Sequence, residues 1–544
     1  MSAGSRRSER TTSFSQVIVL AALSDQLPAD FITESLAQTV LRQTGDRLLV
    51  VRLQTDSSKL SLRRWGCLAP RLNGEFALAH QVVFDHRGIG SLHVTVGDST
   101  LEPSYLRSLL KHLRQHFRYV FLQADPHLQL PVLVEAAVRA DRAFLFLRPT
   151  AEGLTGREAL LREVRNHPDN DSINLKTIVC RESGEEKFNQ SLKEMGAAVH
   201  GFIHGCPPAA AVSGLQHWND PAFEADLRRL AREILRCRVG LVLSSGGARG
   251  LAHIGVIQVL EENGIEIDVI AGCSMGAYIG AVWGYGYDGQ VMERLAREVE
   301  HRWGLFELID PFILPRQGFL RGEKVKRRLK KSIGDVHFSE LSRPLRIVAT
   351  NLSSLERAIF STGEVATAVH ASSAIPGACA PVRIDRELYI DGGIADPLPV
   401  DVLEDMGIER IIAVNTIPTP AYLRCRMEME REQEDLRGKR AGKLRSLLNQ
   451  YLNYFAPGNI LDTILRSIHG AQMRVAEHAC GGADLVLRPL AFDGRWHDFL
   501  HPGKYIQIGR REAEEHLGEI KNLVSHPKPL HEHSYSQNTV ATVA

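Results

Sequence analysis

Gly272-Cys273-Ser274-Met275-Gly276 sets a serine between two glycines, directly after an apolar run of strand length (267–271) and directly before a helical pattern that starts at Ala277. In a strand-to-helix turn of this kind the serine sits in a strained backbone position. Side chains at 272 and 276 would clash there, so Gly272 and Gly276 leave the Ser274 hydroxyl exposed for nucleophilic attack. Upstream, 239–243 is a second apolar run. It leads into Ser244-Ser245-Gly246-Gly247-Ala248-Arg249-Gly250 and then into helical periodicity through Leu251, Ile254, Val256, Ile257, Val259 and Leu260, which Gly264 stops. Parallel neighbours joined by a right-handed crossover end on the same sheet edge, so the glycine loop lies beside Ser274. Backbone N–H groups of Gly246 and Gly247 can turn toward a developing oxyanion, each such donor being worth roughly 3 kcal/mol of transition-state stabilisation. The positive end of the helix starting near Gly250 adds to that field. Together these features read as a serine hydrolase site.

Each motif alone has rivals. A lone Gly-x-Ser-x-Gly often marks only a tight turn. The glycine loop could be a dinucleotide-binding turn, but the G-x-G-x-x-G spacing is absent and the next strand ends in Ala-Gly-Cys-Ser where a ribose-binding acid would be needed. A phosphate-cradling loop would require a following Gly-Lys-Ser/Thr, which is missing. The third element is 388–400, LYIDGGIADPLPV, a strand followed by Asp391-Gly392-Gly393. It places a carboxylate at another strand end, with glycines that permit close approach to Ser274.

With the loop 245–250, the elbow and Asp391-Gly392-Gly393 in this order, the chain resembles the patatin-like phospholipases. The segments 349–363, 370–382 and 396–402 look like that family's connecting strands and helices, and the resemblance covers about 238–522. It departs where Ser244 and Ser245 stand in place of the family's usual opening glycine, a variant that keeps both donor glycines. The resemblance implies an α/β fold with a three-layer α/β/α catalytic domain. It implies a dyad in which Ser274 is the nucleophile and Asp391 the base, with Gly246, Gly247, Ala248, Arg249 and Gly250 forming the oxyanion hole. No cofactor and no metal are implied. The substrate class is phospholipid or lysophospholipid. The alternative from another class is a catalytically silent lipid-sensing or regulatory protein on the same fold.

A Ser-Asp-His triad with His469, His478 or His497 would also suit the chain order. In that fold, however, the oxyanion loop belongs to a strand well upstream of the elbow, whereas here loop and elbow are consecutive. His253 reads as a packing or capping group and Arg249 as a pin for the loop. Asp385, Asp396 and Asp401 lack flanking glycines and read as turn and cap residues.

The elements that position these residues belong to a chain too long for one core: 544 residues, 44% hydrophobic and 24% charged. The balance of 65 Lys+Arg against 64 Asp+Glu gives no global field that would recruit nucleic acid. Eight cysteines without a C-x-x-C pair suit reduced thiols in the cytoplasm. The expected organisation is a flexible N-terminus (1–13), a Rossmann-like α/β domain (14–204), a linker (205–238) made of a Pro/Ala-rich stretch and then a charged helix over 226–238, the catalytic domain (239–522) with an insertion at about 420–458, and a disordered tail (523–544). Strand-like runs at 17–22, 48–53, 119–123, 143–147 and 175–179 alternate with helical stretches such as 103–117 and 131–140, as in a mostly parallel sheet. After the first strand comes Ser24-Asp25-Gln26-Leu27-Pro28, with no phosphate loop. The N-terminal domain is therefore expected to be a degenerate P-loop-like scaffold. The segment YVFLQADP with the following helix and ADRAFLFLRP resembles the region before the catalytic domain in bacterial relatives of neuropathy target esterase, here without their upstream cyclic-nucleotide-binding domain. For membranes, Leu444, Leu447, Leu448, Tyr451, Leu452 and Phe455 fall at helical spacing behind a basic cluster. That pattern suits an interfacial helix and peripheral membrane contact as well as a packed surface helix.

Overall fold

The structure is a computed structural model. It describes residues 15–54, 67–68, 82–95, 103–169, 173–182, 199–212, 215, 217–298, 300, 310, 320–425, 428, 460–490 and 497–525. The expected N-terminal arm (1–13), most of the insertion, including the interfacial helix, and the tail beyond Ser525 lie outside these residues. The chain divides into two compact units, Met1–Leu235 and Arg236–Ala544.

The first unit is built on β1 (Gln16–Ala22), β2 (Leu48–Gln54), β3 (Cys67–Leu68), β4 (Val83–Phe84), β5 (Ile89–Thr95), β6 (Tyr119–Ala124), β7 (Arg142–Leu147), β8 (Leu175–Cys180) and β9 (Gly201–Ile203). They lie in the order β3-β5-β2-β6-β1-β7-β8-β9, with β4 antiparallel on β5 and the other pairings parallel. Both faces of β1 are buried, as a parallel sheet covered by helices requires. Val17, Val19 and Ala21 face one core with Leu106, Leu109, Leu113 and Val132, while Ile18, Leu20 and Ala22 face another with Ile32, Leu36 and Val40. At the C-terminal ends of β1, β2 and β6 is a cavity of about 440 Å³ whose lining includes Asp25, Asp30, Glu34 and Asp125. Arg52, which also lines it, is engaged by Glu34 at 2.6 Å and Asp30 at 3.3 Å. In doubly wound sheets this crevice holds the ligand. Here its carboxylates oppose a phosphate, in keeping with the missing phosphate loop.

The charged helix expected within 205–238 is present and lies in the first unit. Pro221–Ile234 is a helix capped by Asp220, whose side chain accepts from the N–H groups of Ala222 and Phe223. Phe223, Leu227, Leu230, Ala231 and Ile234 recur at helical spacing and bury against the first unit's second core. Two of its charged residues, Asp226 and Glu233, are buried as well, Asp226 paired with His204 and Arg229 and Glu233 with Lys176 and His200.

The second unit contains β10 (Val239–Leu243), β11 (Val269–Cys273), β12 (Leu345–Asn351), β13 (Arg357–Phe360), β14 (Val382–Ile384), β15 (Glu387–Asp391), β16 (Arg410–Val414) and β17 (Leu485–Leu487). The order is β14-β15-β12-β11-β10-β16-β17, with β13 also paired to β12. Val239, Leu241 and Leu243 face the core that takes in helices Ala252–Glu262, Met275–Tyr285 and Pro502–Glu515, whereas Val242 faces Leu403, Met473 and Ala476. Helices thus cover both faces, giving the expected three layers. The last helix, Leu517–Ser525, buries Ile520, so ordered structure extends three residues into the expected tail. Among the described residues no helix is long and apolar enough to cross a membrane.

If Pro221–Ile234 belongs to the first core, Leu227→Ala and Leu230→Ala should each cost about 2–4 kcal/mol. This would be read as a lower urea midpoint of the full chain, and a solvated connector would lose almost nothing.

Candidate active site

The β12 register explains how a serine and an aspartate far apart in sequence come to touch. β13 pairs with Ile347 through Thr350 along one edge of β12. The other edge is therefore shared end to end by β11, parallel at Leu345–Val348, and β15, antiparallel at Ala349–Asn351. The two strands run toward each other. Cys273, level with Val348, ends one of them and Asp391, level with Ala349, ends the other.

Between them sits Ser274 at φ 54°, ψ −115°. A non-glycine residue held there is strained and needs surroundings that fix it. A Cβ on Gly276 would come within 2.1 Å of the Leu243 carbonyl oxygen, and one on Gly272 within 2.7 Å of the Gly276 carbonyl oxygen. The Ser274 N–H donates to Ser372 Oγ at 2.8 Å, and that hydroxyl donates to the Val348 carbonyl at 2.6 Å. Ser372 thus serves as a rung between β11 and β12 where the backbone swings away from the ladder. On the other side, the Ser274 carbonyl accepts from the Tyr278 N–H at 3.0 Å and starts the helix.

Ser274 Oγ donates to Asp391 Oδ2 at 2.8 Å. The second carboxylate oxygen accepts from the Gly393 N–H at 2.7 Å, and Thr350 Oγ1 donates to the Asp391 carbonyl at 3.0 Å. Gly392 is needed for closeness, since a Cβ there would lie 2.2 Å from the Val348 carbonyl oxygen. Asp391 is only 3% exposed. Burial pushes its carboxyl up to about 6 against the opposing pull of the Gly393 and Ser274 hydrogen bonds. The result is a carboxylate poised near neutrality and hydrogen-bonded to the Ser274 hydroxyl. Burial also pushes the neighbouring Cys273 thiol well above its ordinary value, so Cys273 stays a neutral packing group.

The glycine loop follows β10, whose Leu243 is level with Gly272 of β11. Gly247–Leu251 forms a 3-10 turn that continues into the helix Ala252–Glu262, and the first N–H groups of such a run have no intrahelical acceptor. Gly247 needs its freedom at φ 57°. Gly250 lets the loop pack on the elbow, because a Cβ there would lie 2.5 Å from Met275 Cγ. Arg249 Nε donates to the Gly246 carbonyl at 3.5 Å. His253 Nε2 donates to the Ser244 carbonyl at 3.0 Å, and complete burial lowers its pKa to about 4, so it is a neutral clamp. The two serines at the head of the loop have a structural account. Ser244 Oγ donates to the Ser245 carbonyl at 2.9 Å and accepts from the Thr416 N–H at 2.9 Å, tying the loop to the segment after β16.

The remaining candidates lie elsewhere. Asp396 pairs with Arg357 at 2.9 Å, Asp401 also bonds Arg357 and opens the helix Val400–Asp405, and Asp385 occupies a turn at φ 53°. His478 and His497 are exposed and His469 is half-buried. The hydrogen-bond donors to the Asp391 carboxylate described above are the Ser274 hydroxyl and the Gly393 backbone N–H. Sequence reasoning missed Ser372, Thr350 and Thr416 as individuals. The local signal for Ser372 was one serine in Ala371-Ser372-Ser373, indistinguishable from its neighbour.

Residues 241–404 match the family model of the patatin-like phospholipases. An NTE family protein of Mycobacterium bovis is 42% identical over 178 residues, 33% of this chain and 49% of that protein. Lysophospholipase nte1 of Aspergillus fumigatus is 34% identical over 194 residues, 36% of this chain and 13% of that protein. The match thus spans about half the length of the mycobacterial relative. Among solved structures, the MinC:MinD cell division protein complex of Aquifex aeolicus is 14% identical with a TM-score of 0.32, covering 41% of this chain and 96% of that one.

Asp391→Asn should stabilise the fold. The folded pKa of about 6 lies above the ordinary 3.8, so the ionised carboxylate opposes folding at neutral pH by up to about 3 kcal/mol, and this cost fades as pH falls through 6 toward 4. Melting curves should show the variant above wild type at pH 8 and the gap closing at pH 5. Gly276→Ala should instead lower the melting temperature at both pH values.

Proposed function

We propose that this chain, which carries a patatin-like phospholipase domain related to the NTE proteins, is a serine acyl-ester hydrolase of the lysophospholipase or phospholipase type. The observation that carries the reading is the 2.8 Å hydrogen bond from Ser274 Oγ to a buried Asp391. In the reaction, Ser274 Oγ attacks the ester carbonyl carbon while its proton passes to Asp391 Oδ2. The N–H groups of the Gly246-Gly247 region, with Ala248, Arg249 and Gly250 shaping the loop, receive the oxyanion. Collapse breaks the ester C–O bond as Asp391 returns the proton to the leaving alkoxide oxygen. Water then attacks the acyl-enzyme, Asp391 accepts its proton, and the fatty acid leaves as Ser274 recovers its hydrogen. No histidine is required by this sequence of steps.

A fluorophosphonate probe should label Ser274, and Ser274→Ala should abolish both labelling and ester hydrolysis without unfolding. A folded alanine variant with near wild-type turnover would end the reading, and an unlabelled wild-type chain would favour the catalytically silent, lipid-sensing alternative. Asp391→Asn should lose nearly as much activity as Ser274→Ala, and the double variant little more, since the two side chains act as a unit. Because the working form of Asp391 is ionised, kcat/KM should fall as pH drops through about 6. His469→Gln, His478→Gln and His497→Gln should each stay within about tenfold of wild type. A fall of about 10⁴-fold in one of them would restore the triad.

A further inference from the structure

β12 does not stop at the active site. Asp391 is level with Ala349, whereas β12 continues to Asn351 and turns through Leu352-Ser353-Ser354-Leu355 into β13. At about 3.3 Å per residue the tip begins about 10 Å beyond the level of the nucleophile, on the sheet edge where the elbow opens. Leu352 is 37% exposed and Leu355 67% exposed. Leu355 is also held at φ 60°, a left-handed position where a bulky side chain is an outlier and asparagine or glycine would be at ease.

The neighbouring hairpin reaches the same height. The Leu352 N–H donates to the Leu388 carbonyl at 2.8 Å, and Leu388 is level with Arg383 of β14. The β14–β15 turn carries Asp385 and Arg386 one step further out. Arg383 and Arg386 are exposed. Arg357, by contrast, is engaged by Asp396 and Asp401. Glu356, Asp385 and Glu387 offset the two exposed arginines, so the edge presents leucines within a ring of both charges rather than a cationic face.

We infer that these two hairpin tips are a bilayer-docking edge: Leu352 and Leu355 enter the acyl region of a zwitterionic phospholipid surface while Arg383 and Arg386 meet its phosphates. This rests on the acyl-ester hydrolase reading and supplies that site with its surface. The depth agrees with it. Interfacial elements bury apolar groups about 5–10 Å past the headgroup boundary, so tips about 10 Å beyond Ser274 bring the nucleophile to the plane of the ester carbonyls. A ring carrying both signs, three carboxylates and two exposed arginines, suits a headgroup that itself carries both signs, and it distinguishes this edge from a polybasic patch, whose binding depends steeply on anionic lipid and salt.

The test uses the full chain carrying Ser274→Ala, so that hydrolysis does not alter the vesicles. With phosphatidylcholine vesicles, the added fluorescence of Leu355→Trp should shift to the blue and be quenched by brominated acyl chains, and salt should change vesicle binding less than about twofold. Leu352→Ser with Leu355→Asn should reduce the bound fraction about fivefold or more, and Arg383→Gln with Arg386→Gln about two- to threefold. In the chain with Ser274 intact, the leucine pair of changes should lower turnover on bilayer lipid by the same factor as binding and leave a soluble short-chain ester within about twofold. An unshifted, unquenched indole in the Leu355→Trp variant, or leucine variants that bind vesicles as the parent does, would overturn the docking edge. Insertion of that indole by a chain whose Ser274 takes no fluorophosphonate would uphold the docking edge and defeat the hydrolase reading instead.

Discussion

Two strands meet head to head on one edge of β12, and the site depends on that meeting. A regular sheet would carry β11 onward or leave its end open. Here β15 arrives from the opposite direction and stops one register step away, with Cys273 level with Val348 and Asp391 level with Ala349. The gap between the two ends holds Ser274. Its closure leaves backbone groups that the ladder can no longer pair, and a buried amide or carbonyl without a partner is costly. Ser372 satisfies one of each, accepting from the Ser274 N–H and donating to the Val348 carbonyl. The Ser274 N–H is thereby committed to Ser372.

Three costs are concentrated at this junction: a non-glycine residue at φ 54°, a buried carboxylate, and glycines whose neighbours leave no room for a Cβ. Each persists because rigid elements surround it. The helix Met275–Tyr285 starts from the Ser274 carbonyl, Thr350 bonds the Asp391 backbone, and the loop is tied down by His253, Ser244 and Thr416. The arrangement exchanges stability for preorganisation, which is how a hydroxyl and a carboxylate are brought into reacting distance without a third partner.

Much of this was legible in the residues because glycine requirements are local. Gly272, Gly276, Gly392 and Gly393 mark close backbone approach, and the apolar runs before Ser274 and Asp391 place both at strand ends. The mostly parallel character of the first sheet followed from apolar strand-length runs such as 17–22 and 48–53 alternating with helical stretches such as 103–117. What could not be read was long-range register. Whether β15 lies beside β11 or end to end with it depends on β13 occupying the other edge of β12, and no local pattern encodes that. Ser372 was hidden for the same reason, since its importance arises from what lies across the sheet. The helix Pro221–Ile234 was legible as a charged helix, but not that Phe223, Leu227 and Leu230 enter the first unit's core or that Asp226 and Glu233 are buried in ion pairs, since their partners lie far away in sequence.

The titrating groups around the junction pull against each other in acid. Between about pH 6 and 4 the folded chain takes up protons at Asp391 and Asp396, both raised to about 6 by burial, more readily than the unfolded chain does, so acidification favours the folded state through them. His253, lowered to about 4, and His370, lowered by burial, act in the opposite sense, because the unfolded chain protonates them first. Two aspartates are thus set against two histidines whose proton linkage has the opposite sign. Protonation of Asp391 in mild acid is therefore no step toward unfolding in itself, because through this group the folded chain is the tighter proton binder.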